Sequence, residues 1–117
     1  MQATRAARLA QQLQQEIAMI IHQELKDPRI GFVTITGVEL SSDLSHAKVA
    51  FSYLGTDPER VLCQQALDHS TRFIQGIIKK RLRLKIIPEI LFRYDDSIAQ
   101  SIALSERFEQ LKQDDDQ

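Results

Sequence analysis

The chain has 117 residues, of which 43% are hydrophobic and 26% charged, and its formal net charge is −1 at pH 7. These values are ordinary for one globular domain that buries its core without disulfide or metal support. The net charge argues against a strong general nucleic-acid binder, which is normally basic overall. Any polyanion site must therefore come from positive charge segregated on one face.

The single cysteine, Cys63, excludes an internal disulfide framework and fits a reducing compartment. No stretch reaches the roughly 18 apolar residues of a transmembrane helix, and no secretory signal is recognisable. We therefore expect a cytoplasmic protein with no membrane partner. We interpret Cys63 itself as a small buried apolar residue.

Residues 4–25 are predicted to form the first helix, because apolar side chains recur at spacings of three and four. These side chains are Leu9, Leu13, Ile17, Ile20, Ile21 and Leu25. Thr4 can cap the start of the helix. Pro28 ends it, since the residue before a proline is disfavoured in the helical conformation, and residues 27–31 should form a turn. Asp27 is interpreted as a residue of this turn rather than as a catalytic acid.

Two strands are predicted next, over residues 32–40 and 47–54. Both are rich in β-branched or alternating apolar residues, and a short Ser/Asp-rich connection joins them, so they should form an antiparallel hairpin. Gly37 in the first strand indicates a bulge or bend.

A second helix should begin near residues 56–59 and continue to about His69. Two starts fit the sequence: Thr56 as N-cap with Glu59 completing a capping box, or Asp57 as N-cap followed by Pro58 at the first helical position. Residues 68–71 contain side chains that compete for backbone hydrogen bonds, which predicts a break or kink there.

Residues 72–83 are predicted to form a third helix with one apolar and one cationic side. The apolar side chains are Phe73, Ile74, Ile77, Ile78 and Leu82. The opposite side carries Arg72, Gly76, Lys79, Lys80 and Arg83. Arg81 should point toward the apolar side at a frayed helix end. Six basic residues and no Asp or Glu lie between Asp68 and Glu89, which fits either a solvated helix face or a surface for a polyanion.

A last strand is predicted over residues 89–94, with Pro88 at its start. Asp95, Asp96 or Ser97 can cap a final helix, although the two aspartates could also bind a cation. Its apolar positions would be Ile98, Ile102, Leu104, Phe108 and Leu111. We expect residues 1–112 to form a single domain and residues 113–117 to form a short, acidic, disordered tail.

The sequence contains no recognisable catalytic or metal-binding set. Its glycines give no GxGxxG or Walker loop, and its histidines (His22, His46 and His69) have no zinc-ligand spacing with Cys63. We therefore expect no enzyme activity, no cofactor and no metal. The only residues that favour a small hydrolase or nuclease are Asp95, Asp96 and the histidines.

The predicted order, αββααβ, is that of a type II KH domain, an α+β RNA-binding fold with a three-stranded sheet packed on helices. That fold grips nucleotides with a GxxG loop between its two adjacent helices. No two glycines here are three residues apart, and residues 68–72 occupy that junction, so the loop is absent.

Three segments together resemble the bacterial ribosome-binding factor A family. They are RAARLAQQLQQEIAMIIHQELKDPRIG (5–31), TGVELSSDLSHAKVAFS (36–52) and KIIPEILFRYDDS (85–97). The resemblance implies a KH-like fold and a non-enzymatic assembly factor that binds the immature small (30S) ribosomal subunit. It also implies a role in 16S rRNA maturation near the 5′ end and in growth in the cold.

The resemblance further implies an interhelical Ala-x-Gly kink, whose positions here are Ser70, Thr71 and Arg72. Because Arg72 replaces the glycine, we expect Ser70 and Thr71 to make the kink by capping the next helix.

The predicted rRNA contacts are phosphate contacts, because folded RNA is met largely through its backbone and shape. The candidate residues are Arg72, Lys79, Lys80, Arg83 and Lys85, with Arg5 and Arg8 as possible additions. The sequence shows no stacking aromatic on this surface, so base recognition should be weak.

The competing hypothesis is a protein-interaction module that docks on a ribosomal protein or an assembly GTPase, with its basic face merely solvated. The low net charge favours this alternative. The expected partners are thus the free 30S subunit and 16S rRNA, with a ribosomal protein or GTPase as the alternative, and we expect a monomer.

Overall fold

The structure is a computed structural model that describes residues 4–97. It contains α1 (Arg5–Gln23), β1 (Val33–Leu40), β2 (His46–Tyr53), α2 (Asp57–His69), α3 (Thr71–Leu82) and β3 (Glu89–Tyr94). This confirms the predicted element order, and the predicted bounds of β3 agree with the structure. The predicted final helix and the predicted acidic tail lie outside the described residues.

The three strands form one mixed sheet in the order β1-β2-β3. β1 pairs with β2 antiparallel, as predicted for a hairpin, and β2 pairs with β3 in parallel. The register shifts between Ile35 and Gly37, which confirms the predicted bulge. Outward-facing side chains such as Thr34, Lys48 and Arg93 are exposed, so in the described part of the chain the helices cover one face of the sheet.

The core lies between this covered face and the helices. Phe51 and Phe92 come from the sheet, while Ile17, Leu67 and Ile74 come from the three helices, and each is 2% exposed or less. Full burial of one such side chain stabilises the fold by roughly 1.5–3 kcal/mol. The positions of the helices on the sheet are therefore determined mainly by apolar packing.

The start of α2 distinguishes between the two predicted caps. Thr56 Oγ1 accepts a hydrogen bond from the Glu59 backbone N–H at 3.3 Å, and Glu59 Oε1 accepts one from the Thr56 N–H at 3.3 Å. This reciprocal capping box is the first of the two alternatives. Asp57 is then the first helical residue.

A single residue, Ser70, separates α2 from α3, which confirms the predicted break. The prediction that Ser70 and Thr71 cap the following helix is wrong. Ser70 has φ −93° and ψ 0° and makes no side-chain cap, because a capping side chain requires an extended backbone at the N-cap. The Thr71 hydroxyl instead donates a hydrogen bond back to the Asp68 carbonyl oxygen. Both residues therefore hydrogen-bond to carbonyl oxygens in the last turn of α2.

Candidate nucleic-acid interface

The orientation of α3 is set by two fully buried isoleucines, Ile74 and Ile78. With these side chains in the core, the opposite side of the helix faces solvent. Arg72, Lys79 and Lys80 are accordingly exposed. The predicted cationic side of the third helix is therefore a real surface of the molecule.

A shallow groove of about 330 Å³ runs between α3 and the linker that leads to β3 (residues 83–88). It is lined by Arg72, Gln75, Gly76, Lys79, Lys85 and Ile87. Gln75 Nε2 donates a hydrogen bond to the Pro88 carbonyl oxygen at 3.2 Å, which ties the linker to the helix. The groove thus brings together two cations from the helix and one from the linker.

Arg83 ends α3 in the left-handed conformation, with φ 51° and ψ 42°. This backbone conformation is unfavourable by roughly 1–2 kcal/mol for a residue other than glycine. The exposed guanidinium lies at the negative end of the helix dipole, which offsets part of this cost. Arg83 and Lys80 therefore extend the positive surface beyond the groove without lining it.

Within residues 4–97, no carboxylate forms an ion pair with the cations of this surface. Among residues 4–97, carboxylates form ion pairs with Arg29, His46, Arg60 and Arg81. No such pair includes the five cations of the groove and helix end, which are Arg72, Lys79, Lys80, Arg83 and Lys85. Their combined field is therefore free to attract an anionic partner.

Arg81 differs from its neighbours. Its guanidinium contacts Glu16 Oε2 at 3.1 Å and Glu24 Oε1 at 3.3 Å, both on the α1 side of the molecule. The expectation that Arg81 lies at a frayed end is wrong, because these two pairs hold it within the last turn of α3. Arg81 therefore links α3 to α1, and its guanidinium is already paired with two carboxylates.

Arg5 and Arg8 are exposed but lie outside the groove. They border a second pocket of about 630 Å³ whose walls include Leu9, Leu84 and Ile86. Alternate residues of the linker line the two concavities: Lys85 and Ile87 line the groove, while Leu84, Ile86 and Pro88 line the second pocket. The linker therefore divides the predicted binding residues into two groups.

Phe73 was predicted on the apolar side of α3, but it is 51% exposed. It borders a shallow depression with Leu25, Lys26 and Pro28. Since α1 ends at Gln23, the first turn of α3 faces the turn after α1 rather than the helix itself. An exposed aromatic side chain therefore adjoins Arg72, which the helical periodicity did not reveal.

The turn after α1 is structural, as predicted. The Asp27 carboxylate accepts hydrogen bonds from the Arg29 side chain at 2.7–3.2 Å and from its backbone N–H at 2.9 Å. These bonds lower the pKa of Asp27 to about 2. Gly31 then turns the chain with φ +53°, and an added Cβ would lie 2.8 Å from Tyr53 Oη.

Cys63 is fully buried, as predicted, and its Sγ lies 3.4 Å from the Ile30 carbonyl oxygen. Burial raises the pKa of this thiol to about 11, so it is a poor nucleophile.

Asp95 is engaged by hydrogen bonds within the described residues, while the helix that it was predicted to cap lies outside them. It accepts from the Ser97 N–H at 3.0 Å and from Thr36 Oγ1 at 3.1 Å. Within residues 4–97, no group of three or more His, Cys, Asp or Glu side chains could hold a metal ion. No helix in this part of the chain is long and apolar enough to span a membrane.

The element order, the mixed three-stranded sheet and the structures that share them define a KH-like domain. The family model for ribosome-binding factor A matches residues 5–108. A ribosome-binding factor A from Halothermothrix orenii is 42% identical over 116 residues, covering 99% of this chain and 95% of that protein. The chain belongs to the ribosome-binding factor A family.

Solved structures agree with this assignment. A candidate ribosome-binding factor A from Thermotoga maritima, determined by NMR, matches with a TM-score of 0.73 and 39% identity, covering 83% of this chain and 92% of that one. A homology model of the Thermus thermophilus ribosome-binding factor A was fitted into a cryo-EM map of a 30S complex. It matches with a TM-score of 0.64 and 27% identity, covering 78% of this chain and 96% of that one.

Proposed function

We propose that this protein is a non-enzymatic assembly factor that binds the free 30S subunit through 16S rRNA. The observation that carries the proposal is the α3 groove, where Arg72, Lys79 and Lys85 converge without a neutralising carboxylate in the described part of the chain. The Thermus thermophilus relative fitted into a 30S complex supports the choice of the small subunit as partner. Maturation of the 16S rRNA near its 5′ end is the step that such binding would assist.

The contacts in this groove should be mainly with phosphates. Arginine and lysine meet the sugar-phosphate backbone and position a protein on RNA without specifying sequence. Among the described residues that line the groove none is aromatic, and Phe73 lies in the neighbouring depression. The protein should therefore recognise the shape of folded rRNA more than its bases.

We propose that the protein is not an enzyme because the side chains with shifted pKa values have structural roles. Asp27, Asp43 and Asp95 have lowered pKa values because each accepts hydrogen bonds from neighbouring backbone or side-chain groups. The thiol of Cys63 has a raised pKa because it is buried. These shifts are explained by local structure and do not assemble a reacting pair.

Further parts of the proposal take the family and the fold as their starting point. We place the domain in the type II KH class, with residues 1–112 as the domain and residues 113–117 as a tail. We further propose that the protein is cytoplasmic, that it acts as a monomer without a cofactor, and that it contributes to growth in the cold. Growth and 16S rRNA 5′-end analysis of a deletion strain at low temperature would test the cellular part.

One feature favours the alternative function, docking on a ribosomal protein or assembly GTPase. Ile86 is 80% exposed in the second pocket, whose lining includes the two cations Arg5 and Arg8 and one acid, Asp43. An exposed apolar side chain flanked by cations suits an acidic protein segment better than an RNA backbone. Under this alternative the groove of α3 would be a solvated face.

Sedimentation distinguishes the two functions. The purified protein is centrifuged with free 30S subunits, with 70S ribosomes and with protein-free 16S rRNA at moderate salt. We expect comigration with free 30S subunits and measurable binding to protein-free 16S rRNA. Binding to 30S subunits with no binding to protein-free rRNA would favour the protein partner, and no comigration with 30S subunits would contradict both.

A further inference from the structure

Gly76 occupies an interior position of α3 (Thr71–Leu82) and is exposed. Glycine is the poorest helix former after proline, because it loses the most backbone conformational entropy on folding and leaves the helix backbone exposed to water. A helix-interior glycine therefore requires a compensating reason.

The part of the fold that comprises residues 4–97 supplies no such reason. In the described part of the chain, a Cβ added at Gly76 would meet no heavy atom within 4 Å beyond its own stretch of helix. The backbone conformation does not require glycine either, since Gly31 is the glycine with positive φ among these residues. Neither packing nor backbone geometry accounts for Gly76.

The position of Gly76 within the groove offers a different reason. Arg72 precedes it by four residues and Lys79 follows it by three, so all three lie on one side of the helix. Lys85 joins them from the linker. The missing side chain leaves the helix surface open between these cations.

We propose that an RNA strand crosses α3 at Gly76, with its phosphodiester backbone in direct contact with the helix and its phosphates on Arg72, Lys79 and Lys85. Glycine permits this approach because any side chain would hold the strand away from the helix. This inference rests on the proposed function and specifies how the rRNA is seated.

The test uses Gly76→Ala and Gly76→Gln in the full chain, with thermal unfolding and affinity for free 30S subunits measured side by side. The unfolding midpoint of Gly76→Ala should rise by roughly 3–6 °C, because alanine is the better helix former. Affinity for 30S subunits should fall in the order glycine, alanine, glutamine, with a loss of roughly tenfold for glutamine. Since no charge changes, the loss should persist across a salt series.

Gln65→Ala on the exposed side of α2 is the matched control, because it alters helix propensity away from the groove. It should leave affinity unchanged. A higher unfolding midpoint together with a lower affinity for 30S subunits in Gly76→Ala would support the proposal. A raised midpoint with unchanged affinity would overturn it, and so would a lowered midpoint, which would assign the glycine to the fold.

The two proposals can fail separately. If the wild-type protein binds 30S subunits and the Gly76 variants bind equally well, only the seating at Gly76 is refuted. If the wild-type protein does not bind 30S subunits, the proposed function itself fails.

Discussion

At the scale of single residues, the turn after α1 shows how a few side chains determine the path of the chain. Asp27 and Arg29 form a bidentate ion pair, with Asp27 Oδ2 2.7 Å from an Arg29 nitrogen. Two residues later Gly31 adopts a left-handed conformation directly against the Tyr53 ring. The turn therefore holds the end of α1 against the start of β1 through one ion pair and one close backbone approach.

Gly31→Ala should destabilise the protein by about 1–3 kcal/mol, since it places a Cβ at positive φ and close to Tyr53 Oη. Urea unfolding followed by circular dichroism measures this change. Gly37→Ala is the matched control, because a Cβ there would have no neighbour within 4 Å among the described residues. Equal effects at the two positions would show that the approach to Tyr53 is unimportant.

Asp27 makes stability depend on pH in one direction. Hydrogen bonds from Arg29 lower its pKa from 3.8 to about 2, so its contribution is complete above the unfolded value and disappears as pH falls through the folded value. Asp27→Asn should be less stable than wild type at neutral pH. The difference should close between about pH 4 and pH 2, measured by urea unfolding at each pH.

The control for this experiment is Glu39→Gln, which removes an exposed carboxylate of β1 that has no ion pair among residues 4–97. Its stability should follow that of the wild type across the same range. A difference between wild type and Asp27→Asn that persists below pH 2 would contradict the assigned role of Asp27.

At the scale of elements, α3 combines three tasks on different sides. Ile74 and Ile78 attach it to the sheet, Arg81 joins it to α1, and Arg72 with Lys79 forms the exposed groove. The cationic stretch is therefore not uniform, because one arginine within it serves the fold.

Arg81→Gln should lower stability by at most about 1 kcal/mol, as expected for partly exposed ion pairs, and should leave 30S binding unchanged. A double-mutant cycle with Glu16→Gln measures the coupling, which should weaken as salt is added. Lys80→Gln, one residue away and without a carboxylate partner in the described range, should leave stability unchanged. A clear loss of 30S affinity in Arg81→Gln would place this residue in the interface and contradict the assignment.

Elements were predictable from the sequence where local rules decide. The apolar period of α1, one of the two caps considered for α2 and the bounds of β3 depend on near neighbours in the chain, and the structure confirms them. Phe73 and Arg81 were misplaced because their surroundings come from α1 and the turn after it. Arg5 is separated from the groove because the linker lies between the groove and the pocket that Arg5 lines. Sequence periodicity does not report such tertiary placements.

At the scale of the whole molecule, a chain of net charge −1 presents a cationic groove whose three cations form no ion pair with a described carboxylate. The described acids that form turns, caps and ion pairs include Asp27, Asp43 and Glu16, and none of these three lines the groove. Segregation of this kind lets a nearly neutral protein bind a polyanion on one face while its other faces remain inert.

The most direct test of the account is the salt dependence of 30S binding. Replacing Arg72, Lys79 and Lys85 together by glutamine removes three charges from the groove, and each lost phosphate contact should lower the slope of log K against log salt by roughly 0.7–0.9. The matched control replaces three exposed cations elsewhere, Lys26, Lys48 and Arg93. If the groove binds rRNA phosphates, the slope should fall by about two to three for the groove variant and change little for the control. An unchanged slope in the groove variant, or equal reductions in both, would contradict binding through this groove.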